Sequence, residues 1–169
     1  MKPLLLVDGY NIIGAWREAK KAAYSIDESR DRLFALLQDY AGYTGEEVVL
    51  VFDGHHSARK TRSVDKLKHA SVVFTKQGET ADSYIERQVH LAPKYRLVRV
   101  ATNDGLEQSQ ILGNGATRMT ANELIIALND LRSKEREKRE TALLTQRNPL
   151  SAHLTHEQLE TLEQLRRSK

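Results

Sequence analysis

Acidic residues follow four short apolar runs of this 169-residue sequence. The apolar runs occupy residues 4–7, 48–52, 71–75 and 97–101. The acids that come after them are Asp8, Asp53, Glu79 with Asp82, and Asp104. Short continuous apolar runs are typical of strands that are buried on both faces of a parallel sheet. Because ligands bind at the carboxyl ends of such strands, the sequence predicts that these acids meet at one edge of the sheet.

A cluster of carboxylates requires a cation nearby, because like charges in a cleft repel and raise one another's pKa. Mg²⁺ or Mn²⁺, held by oxygen ligands and several waters, is the simplest such cation. An ion of this kind activates a water and stabilises the oxygens of a phosphodiester displacement. The sequence therefore predicts phosphodiester hydrolysis at a divalent-metal site. Asn11 and Asn103 lie near two of the acids, and their amide oxygens are candidate supporting groups.

Each of these residues also has a purely structural interpretation. Asp8, Asp53 and Asp104 each precede a glycine, as turn residues commonly do. Asp82 lies in the first turn of a predicted helix, where the helix dipole favours an acid. The two asparagines fit turn or cap positions equally well. Taken singly, these interpretations are the more economical, but four coincidences at four strand ends favour a site.

Helical patterns separate the apolar runs. Residues 26–40 keep helical spacing behind an N-cap at Ser25 or Asp27, and Ala81–Leu91 forms a helix between Thr80 and Pro93. Further helices are predicted over residues 105–112, 122–139 and 155–167. The alternation of strands and helices predicts an α/β fold with a parallel sheet.

Charge and composition divide the chain into a balanced part and a basic part. Basic and acidic residues balance over residues 1–131, so the formal charge of +3 arises entirely in residues 132–169. We therefore predict a domain over 1–131 and a charged helical extension over 132–169. The chain has no cysteine, which excludes a disulfide partner and thiolate metal sites. No apolar run reaches membrane length and the first acid comes too early for a signal peptide, so we expect a cytoplasmic protein without a membrane partner.

The motifs resemble those of the YacP-type NYN domain, which belongs to the PIN-like nuclease superfamily. The segments that carry the resemblance are residues 5–13 (LLVDGYNII), 51–54 (VFDG), 74–75 (FT), 79–82 (ETAD) and 102–104 (TND). The resemblance covers about residues 3–131 and extends toward the end of the chain. It implies a PIN-like parallel sheet flanked by helices, with a charged C-terminal helical extension. It also implies dependence on Mg²⁺ or Mn²⁺ and endonucleolytic cleavage of RNA.

The resemblance assigns roles to individual acids. Asp8, Asp82 and Asp104 match the acidic core of the family, and Glu79 joins it as a further catalytic and metal-binding residue. Asp53 is a looser match, because many PIN-like sites lack an acid there. The resemblance also implies a role in bacterial mRNA decay, with the ribosome as a potential setting.

A basic cluster between His55 and His69 is the predicted RNA contact. It contains Arg59, Lys60, Arg62, Lys66 and Lys68 against a single acid, Asp65. An acidic site cannot hold RNA by itself, and basic patches on a neutral body suit a polyanion. We expect this segment to be a loop that starts beside Asp53, with Tyr10 or Trp16 as a stacking partner. The alternative is that these cations form ordinary solvated surface.

Three other functions are consistent with parts of the pattern. A phosphatase of the haloacid dehalogenase type would need a second Asp two residues after Asp8, where Tyr10 stands. A nucleotide-binding module would need glycines or a P-loop lysine that the segment from Gly9 to Gly14 lacks. A non-catalytic RNA- or ribosome-binding adaptor with a vestigial nuclease site stays open, although the retention of all the acids argues against it.

Overall fold

The computed structural model describes residues 1–54, 63–66, 68–103 and 116–147. Several predictions from the sequence fall outside these ranges. They are the helices over 105–112 and 155–167, the carboxylate Asp104, and the cations Arg59, Lys60 and Arg62.

A mostly parallel sheet forms the centre of the fold. In the part of the chain that the structure describes it has six strands: β1 (Leu4–Asp8), β2 (Glu47–Phe52), β3 (Ser63–Lys66), β4 (Ala70–Phe74), β5 (Val98–Ala101) and β6 (Thr117–Met119). Their order is β3-β4-β2-β1-β5-β6. Strand β3 pairs antiparallel with β4, and every other neighbouring pair is parallel. The predicted α/β fold with a parallel sheet is thereby confirmed.

Helices flank the sheet and begin at residues that the sequence marks. The described helices are α1 (Gly9–Ala15), α2 (Arg17–Lys21), α3 (Ile26–Thr44), α4 (Ala81–Leu91) and α5 (Ala121–Arg147). Ser25, not Asp27, is the N-cap of α3, and it forms a reciprocal capping box with Glu28. Helix α3 ends at Thr44, and its C-cap is Gly45. The φ of 73° at Gly45 lies in the left-handed region, which glycine adopts readily. Helix α4 begins after Thr80 and has the predicted bounds.

The sequence interpretation was wrong in the segment between His55 and His69. It predicted a loop throughout, whereas residues Ser63–Lys66 form β3 against the outer side of β4. The reason is that this edge strand has one apolar residue, Val64, which is 46% exposed. A strand of this kind is stabilised by pairing with its neighbour, and it leaves no apolar run in the sequence.

The two faces of the sheet bury different sets of side chains. Alternate strand residues point to opposite faces, and Leu4 and Leu6 pack in one cluster with Tyr84 and Ile85 of α4. Helices α1 and α3 contact β2, and α3 also contacts β4. By the same alternation, Asp8 points to the same face of the sheet as Leu4 and Leu6. Because it is the last residue of β1, it lies at the carboxyl edge of that face.

Contacts divide the chain into two compact units, Met1–Asn129 and Asp130–Lys169. In the second unit, the described part of α5 carries exposed i,i+4 ion pairs, Asp130 with Lys134 at 3.9 Å and Arg136 with Glu140 at 2.9 Å. Exposed pairs of this kind add little stability. The functional division of the chain after residue 131 stays a prediction. Across the described ranges, none of the helices combines the length and apolar character needed to cross a membrane.

We predict that replacing Gly9 by Ala destabilises the fold. A Cβ at this position would lie 2.2 Å from Cε1 of Phe52, and the Phe52 side chain is 1% exposed. Overpacking of this sort costs about 1–3 kcal/mol, which urea denaturation measures. Gly14→Ala is the matched control, because a Cβ added there would meet nothing within 4 Å and Ala is the better helix former. Equal stability of the two variants would contradict the packing argument.

Candidate active site

The strand order creates a crevice at the end of the central strand. The chain runs from β1 to β2 on one side, and later from β4 through α4 to β5 on the other side of β1. Loops that leave neighbouring strands in opposite directions open a crevice at their carboxyl ends. Asp8 is the last residue of β1, and Thr102 and Asn103 follow β5 directly. The candidate site is therefore positioned by topology.

Asp8 is a buried carboxylate at this crevice. Its side chain is 8% exposed, and one oxygen accepts the backbone N–H of Asn11 at 3.1 Å as the N-cap of α1. The pKa of Asp8 is raised from 3.8 to about 6. Burial is the largest cause, and the charges of Asp82 and Asp53 raise the pKa further, whereas backbone hydrogen bonds from Asn11 and Tyr10 lower it.

Asp53 connects the end of β2 to the start of α4. Its Oδ1 accepts the backbone N–H of Ala81 at 2.7 Å. Thr80 accepts the N–H of Ser83 at 3.1 Å, so two side chains satisfy the first N–H groups of the helix. Asp53 thus holds in place the helix that carries Asp82.

Asp82 completes a set of three acids that we call the carboxylate edge: Asp8, Asp53 and Asp82. It is exposed in the first turn of α4, and its charge acts on Asp8. Within the described residues, no three or more His, Asp or Glu side chains are close enough together to hold a metal ion. Asp104 lies outside those residues. The structure thus brings three predicted acids into electrostatic contact, without a complete metal-binding cluster in the part that it describes.

Glu79 has a partner that the sequence interpretation did not foresee. Its side chain is 6% exposed and forms an ion pair with Arg87. The guanidinium of Arg87 also lies 5.4 Å from the centroid of the Tyr84 ring. A buried carboxylate requires such compensation. The catalytic and metal-binding role of Glu79 stays a prediction, and the eight-residue separation of Glu79 from Arg87 gave no signal for the pair in the sequence.

Asn11 and Asn103 connect the loops that follow β1 and β5. The side-chain oxygen of Asn11 accepts the backbone N–H of Asn103 at 2.9 Å. The side-chain oxygen of Asn103 accepts the N–H of Ala121, the first residue of α5, at 3.2 Å. The two asparagines therefore fix the backbone directly before Asp104. Both groups orient the protein chain, and contact with a ligand stays a prediction.

The predicted RNA contacts are not all at the carboxylate edge. Lys66 pairs in register with Ser71 near the amino end of β4, and Lys68 follows in the turn to that strand. These two lysines therefore lie toward the opposite end of the sheet from Asp8. Trp16 is 7% exposed, so the prediction that it stacks on a base is wrong for the folded protein. Tyr10 is half-buried and packs edge-on against Phe52, with ring centroids 5.0 Å apart.

Two buried threonines at strand ends were missed in the sequence. Thr75 is 1% exposed and its hydroxyl oxygen accepts the N–H of Gly54 at 2.9 Å, beside Asp53. Thr102 is fully buried after β5. In the sequence, Thr75 and Thr102 each stand at the end of an apolar run, and the Thr75 hydroxyl connects the residue after Asp53 to the end of β4.

The parallel sheet and the acids at its carboxyl end define a PIN-like nuclease fold of the NYN type. The family model of the YacP-like NYN domain matches residues 5–167. The chain belongs to this family.

A relative and two solved structures agree with this assignment. The chain is 37% identical over 170 residues to the uncharacterized protein YacP of Bacillus subtilis strain 168, covering 97% of this chain and 96% of the relative. The crystal structure of Rae1 (YacP) from Bacillus subtilis matches with a TM-score of 0.67 and 37% identity, over 97% of this chain and 94% of that one. A point variant of the same protein matches with a TM-score of 0.69 and 39% identity, over 82% of each chain.

We predict that Asp8→Asn stabilises the protein at neutral pH when divalent ions are absent. The folded state holds the Asp8 proton more tightly than the unfolded state does, so ionisation of Asp8 lowers stability as pH rises from about 4 to about 6. Above about pH 6, the charge of Asp8 lowers the free energy of unfolding by its full amount, which is about 3 kcal/mol at most for this shift. Asn keeps an acceptor for Asn11 and removes the charge. Urea unfolding in EDTA across this pH range measures the difference between variant and wild type.

Asp39→Asn is the matched control for this measurement, because Asp39 is an exposed acid on α3. It should follow the wild type at every pH. The stability advantage of Asp8→Asn over wild type should grow as pH rises from about 4 to about 6. A difference that stays constant over this range would contradict the prediction.

Proposed function

We propose that this protein is a divalent-metal-dependent endoribonuclease. The observation that carries the proposal is Asp8, a buried carboxylate with a raised pKa at the crevice, under the influence of two further acids. Proteins rarely retain a buried charge beside like charges without a function for it. Membership of the YacP-like NYN family supports a nuclease-type activity on RNA.

The donor set of the carboxylate edge fits Mg²⁺ or Mn²⁺. Carboxylate oxygens are the ligands that these ions prefer, and Mg²⁺ keeps several waters, so it needs few protein ligands. We propose that Asp8 and Asp82 hold the ion, with Asp104 and Glu79 as further ligands and Asp53 as the weakest candidate. When bound, the ion supplies a more acidic water and neutralises charge at the phosphodiester.

The described residues perform the positioning that such a reaction needs. With a pKa of about 6, Asp8 is ionised at neutral pH and available to a cation. Asp53 fixes the start of α4, and with it Asp82, through the N–H of Ala81. Asn11 fixes the loop after β5 through the N–H of Asn103. These groups are held by backbone hydrogen bonds before any substrate arrives, which lowers the cost of organising the site.

The substrate and setting are part of the same proposal. We infer that the substrate is RNA, including mRNA, and that the ribosome is a partner in its decay. Arg59, Lys60 and Arg62, which follow Asp53 in the sequence, are the proposed contacts, because a cluster of carboxylates needs cations to hold phosphates. The absence of cysteine supports a cytoplasmic setting.

Cleavage of RNA by purified protein, with and without Mn²⁺, tests the proposed reaction. We expect wild-type protein to cut RNA only with the ion, and Asp8→Asn and Asp82→Asn to lose at least a hundredfold in rate. Asp39→Asn, which removes an exposed acid far along α3, is the charge-matched control and should keep full activity. Wild-type rates in either carboxylate-edge variant would rule out this mechanism.

Asp53 offers a separate test, because its structural role can be separated from metal binding. Asp53→Asn keeps an acceptor for the N–H of Ala81, whereas Asp53→Ala removes it. We expect Asp53→Asn to keep most activity and Mn²⁺ affinity, and Asp53→Ala to lose about 1 kcal/mol of stability, as a lost N-cap does. Calorimetric Mn²⁺ titration and urea denaturation measure the two effects. Loss of Mn²⁺ binding in Asp53→Asn would make Asp53 a metal ligand instead.

A non-catalytic RNA- or ribosome-binding adaptor is the second candidate. The observation that favours it is the ion pair between Glu79 and Arg87, which engages one of the predicted catalytic acids. An adaptor would bind RNA or ribosome complexes and leave both uncut with Mn²⁺ present. Mapping of RNA ends after incubation with each substrate separates the two functions.

A further inference from the structure

A groove of about 390 Å³ lies at the opposite end of the sheet from the carboxylate edge. We call it the rear groove and define it by Lys2, Lys66, Lys68, His69, Glu46 and Glu47, which contribute to its lining. These residues come from the chain before β1, the start of β2 and the turn between β3 and β4. Strand β4 separates the groove from the carboxylate edge by roughly 13 Å, at about 3.3 Å per residue.

The acids of the rear groove are already neutralised. Arg99 donates to Glu46 at 2.6 Å, and the side chain of Glu46 is 14% exposed. Arg96 forms an ion pair with Glu47. Two carbonyls near the end of α3 also accept hydrogen bonds, because Thr44 and Gly45 donate to the oxygens of Tyr40 and Ala41. Both acids that line the groove are therefore paired with arginines of the protein.

The lysines of the rear groove are exposed and carry uncompensated charge. Lys2, Lys66 and Lys68 are all exposed, and none of them has an ion-pair partner among the residues that the structure describes. Three ammonium groups thus surround a groove whose acids are occupied. The local balance is positive even though residues 1–131 are neutral as a whole.

The backbone that carries these lysines is held firmly. The side-chain oxygen of Gln38 accepts the N–H groups of His69 and Ala70 at 3.1 and 3.3 Å, and its amide nitrogen donates to the carbonyl of Ala70 at 3.1 Å. This attaches the β3–β4 turn to α3. Arg96 donates to the carbonyl of Lys2 at 2.9 Å, which fixes the third lysine from the other side.

We propose that the rear groove binds the phosphodiester backbone of RNA at a second contact, separate from the carboxylate edge. Exposed lysines act as point charges that suit a series of phosphates, and their gain comes from counterion release along a polyanion. A single small anion would instead call for convergent, buried donors. The proposal rests on RNA being the ligand in the proposed function. It assigns Lys66 and Lys68 to a contact other than the one proposed for Arg59, Lys60 and Arg62.

Equilibrium binding of a single-stranded uridine oligonucleotide in EDTA tests the groove without any cleavage. We expect Lys66→Ala with Lys68→Ala to weaken binding and to reduce the salt slope by about 1.4, or about 0.7 for each lost contact with single strands. The matched control is Lys20→Ala with Lys94→Ala, which removes two exposed charges elsewhere and should keep the wild-type slope. Lys66→Arg with Lys68→Arg keeps both charges and should keep binding.

The outcomes separate this proposal from the proposed function. Equal losses in the two alanine pairs, or none in the groove pair, would overturn the rear groove as a binding site. Competition by inorganic phosphate is a further test. If it competes as well as the oligonucleotide does, compared per phosphate group, the groove is a small-anion site and the proposal is overturned. Cleavage of RNA by the wild-type protein with Mn²⁺, measured in parallel, reports on the proposed reaction independently of the groove. Cleavage that persists while the binding prediction fails leaves the nuclease intact and removes only the groove.

Discussion

The burial of a carboxylate at the carboxyl end of a parallel sheet, with two further acids nearby, is the constraint on which this structure depends. Asp8 ends the central strand, so its backbone is committed to the sheet while its side chain lies among buried groups. The backbone N–H of Asn11 stabilises this charge by donating to Asp8. The carboxylate of Asp53 accepts the N–H of Ala81 and so stabilises the start of α4. Hydrogen bonds from helix starts therefore offset part of the cost of burying the Asp8 charge beside two other acids.

The sheet and its long helices were predictable because their signals are local. Apolar runs mark β1, β2, β4 and β5, and the cap residues Ser25 and Thr80 mark where α3 and α4 begin. Helices α1 and α2 and strands β3 and β6 were not recognised. The glycine at the start of α1 resembled a turn, and the two short strands are stabilised by pairing with β4 and β5 instead of by apolar side chains.

The candidate site was predictable to the extent that topology controls it. Strand ends gather Asp8 and Asp53 at one edge, and the helix that starts there supplies Asp82. Partners that depend on distant geometry were not predictable. The pairing of Glu79 with Arg87 needs the shape of α4, and the displacement of Lys66 from Asp53 follows from the antiparallel direction of β3.

The polar character of the outer strands has a consequence for association between molecules. Strand β3 contains Asp65 and Lys66 within four residues, and β6 has three residues with Arg118 at its centre. Short, charged edge strands are poor templates for pairing with another sheet, so they discourage aggregation through exposed backbone groups. The short length and charged residues that hid these strands in the sequence therefore also disfavour the extension of the sheet across two copies of the chain.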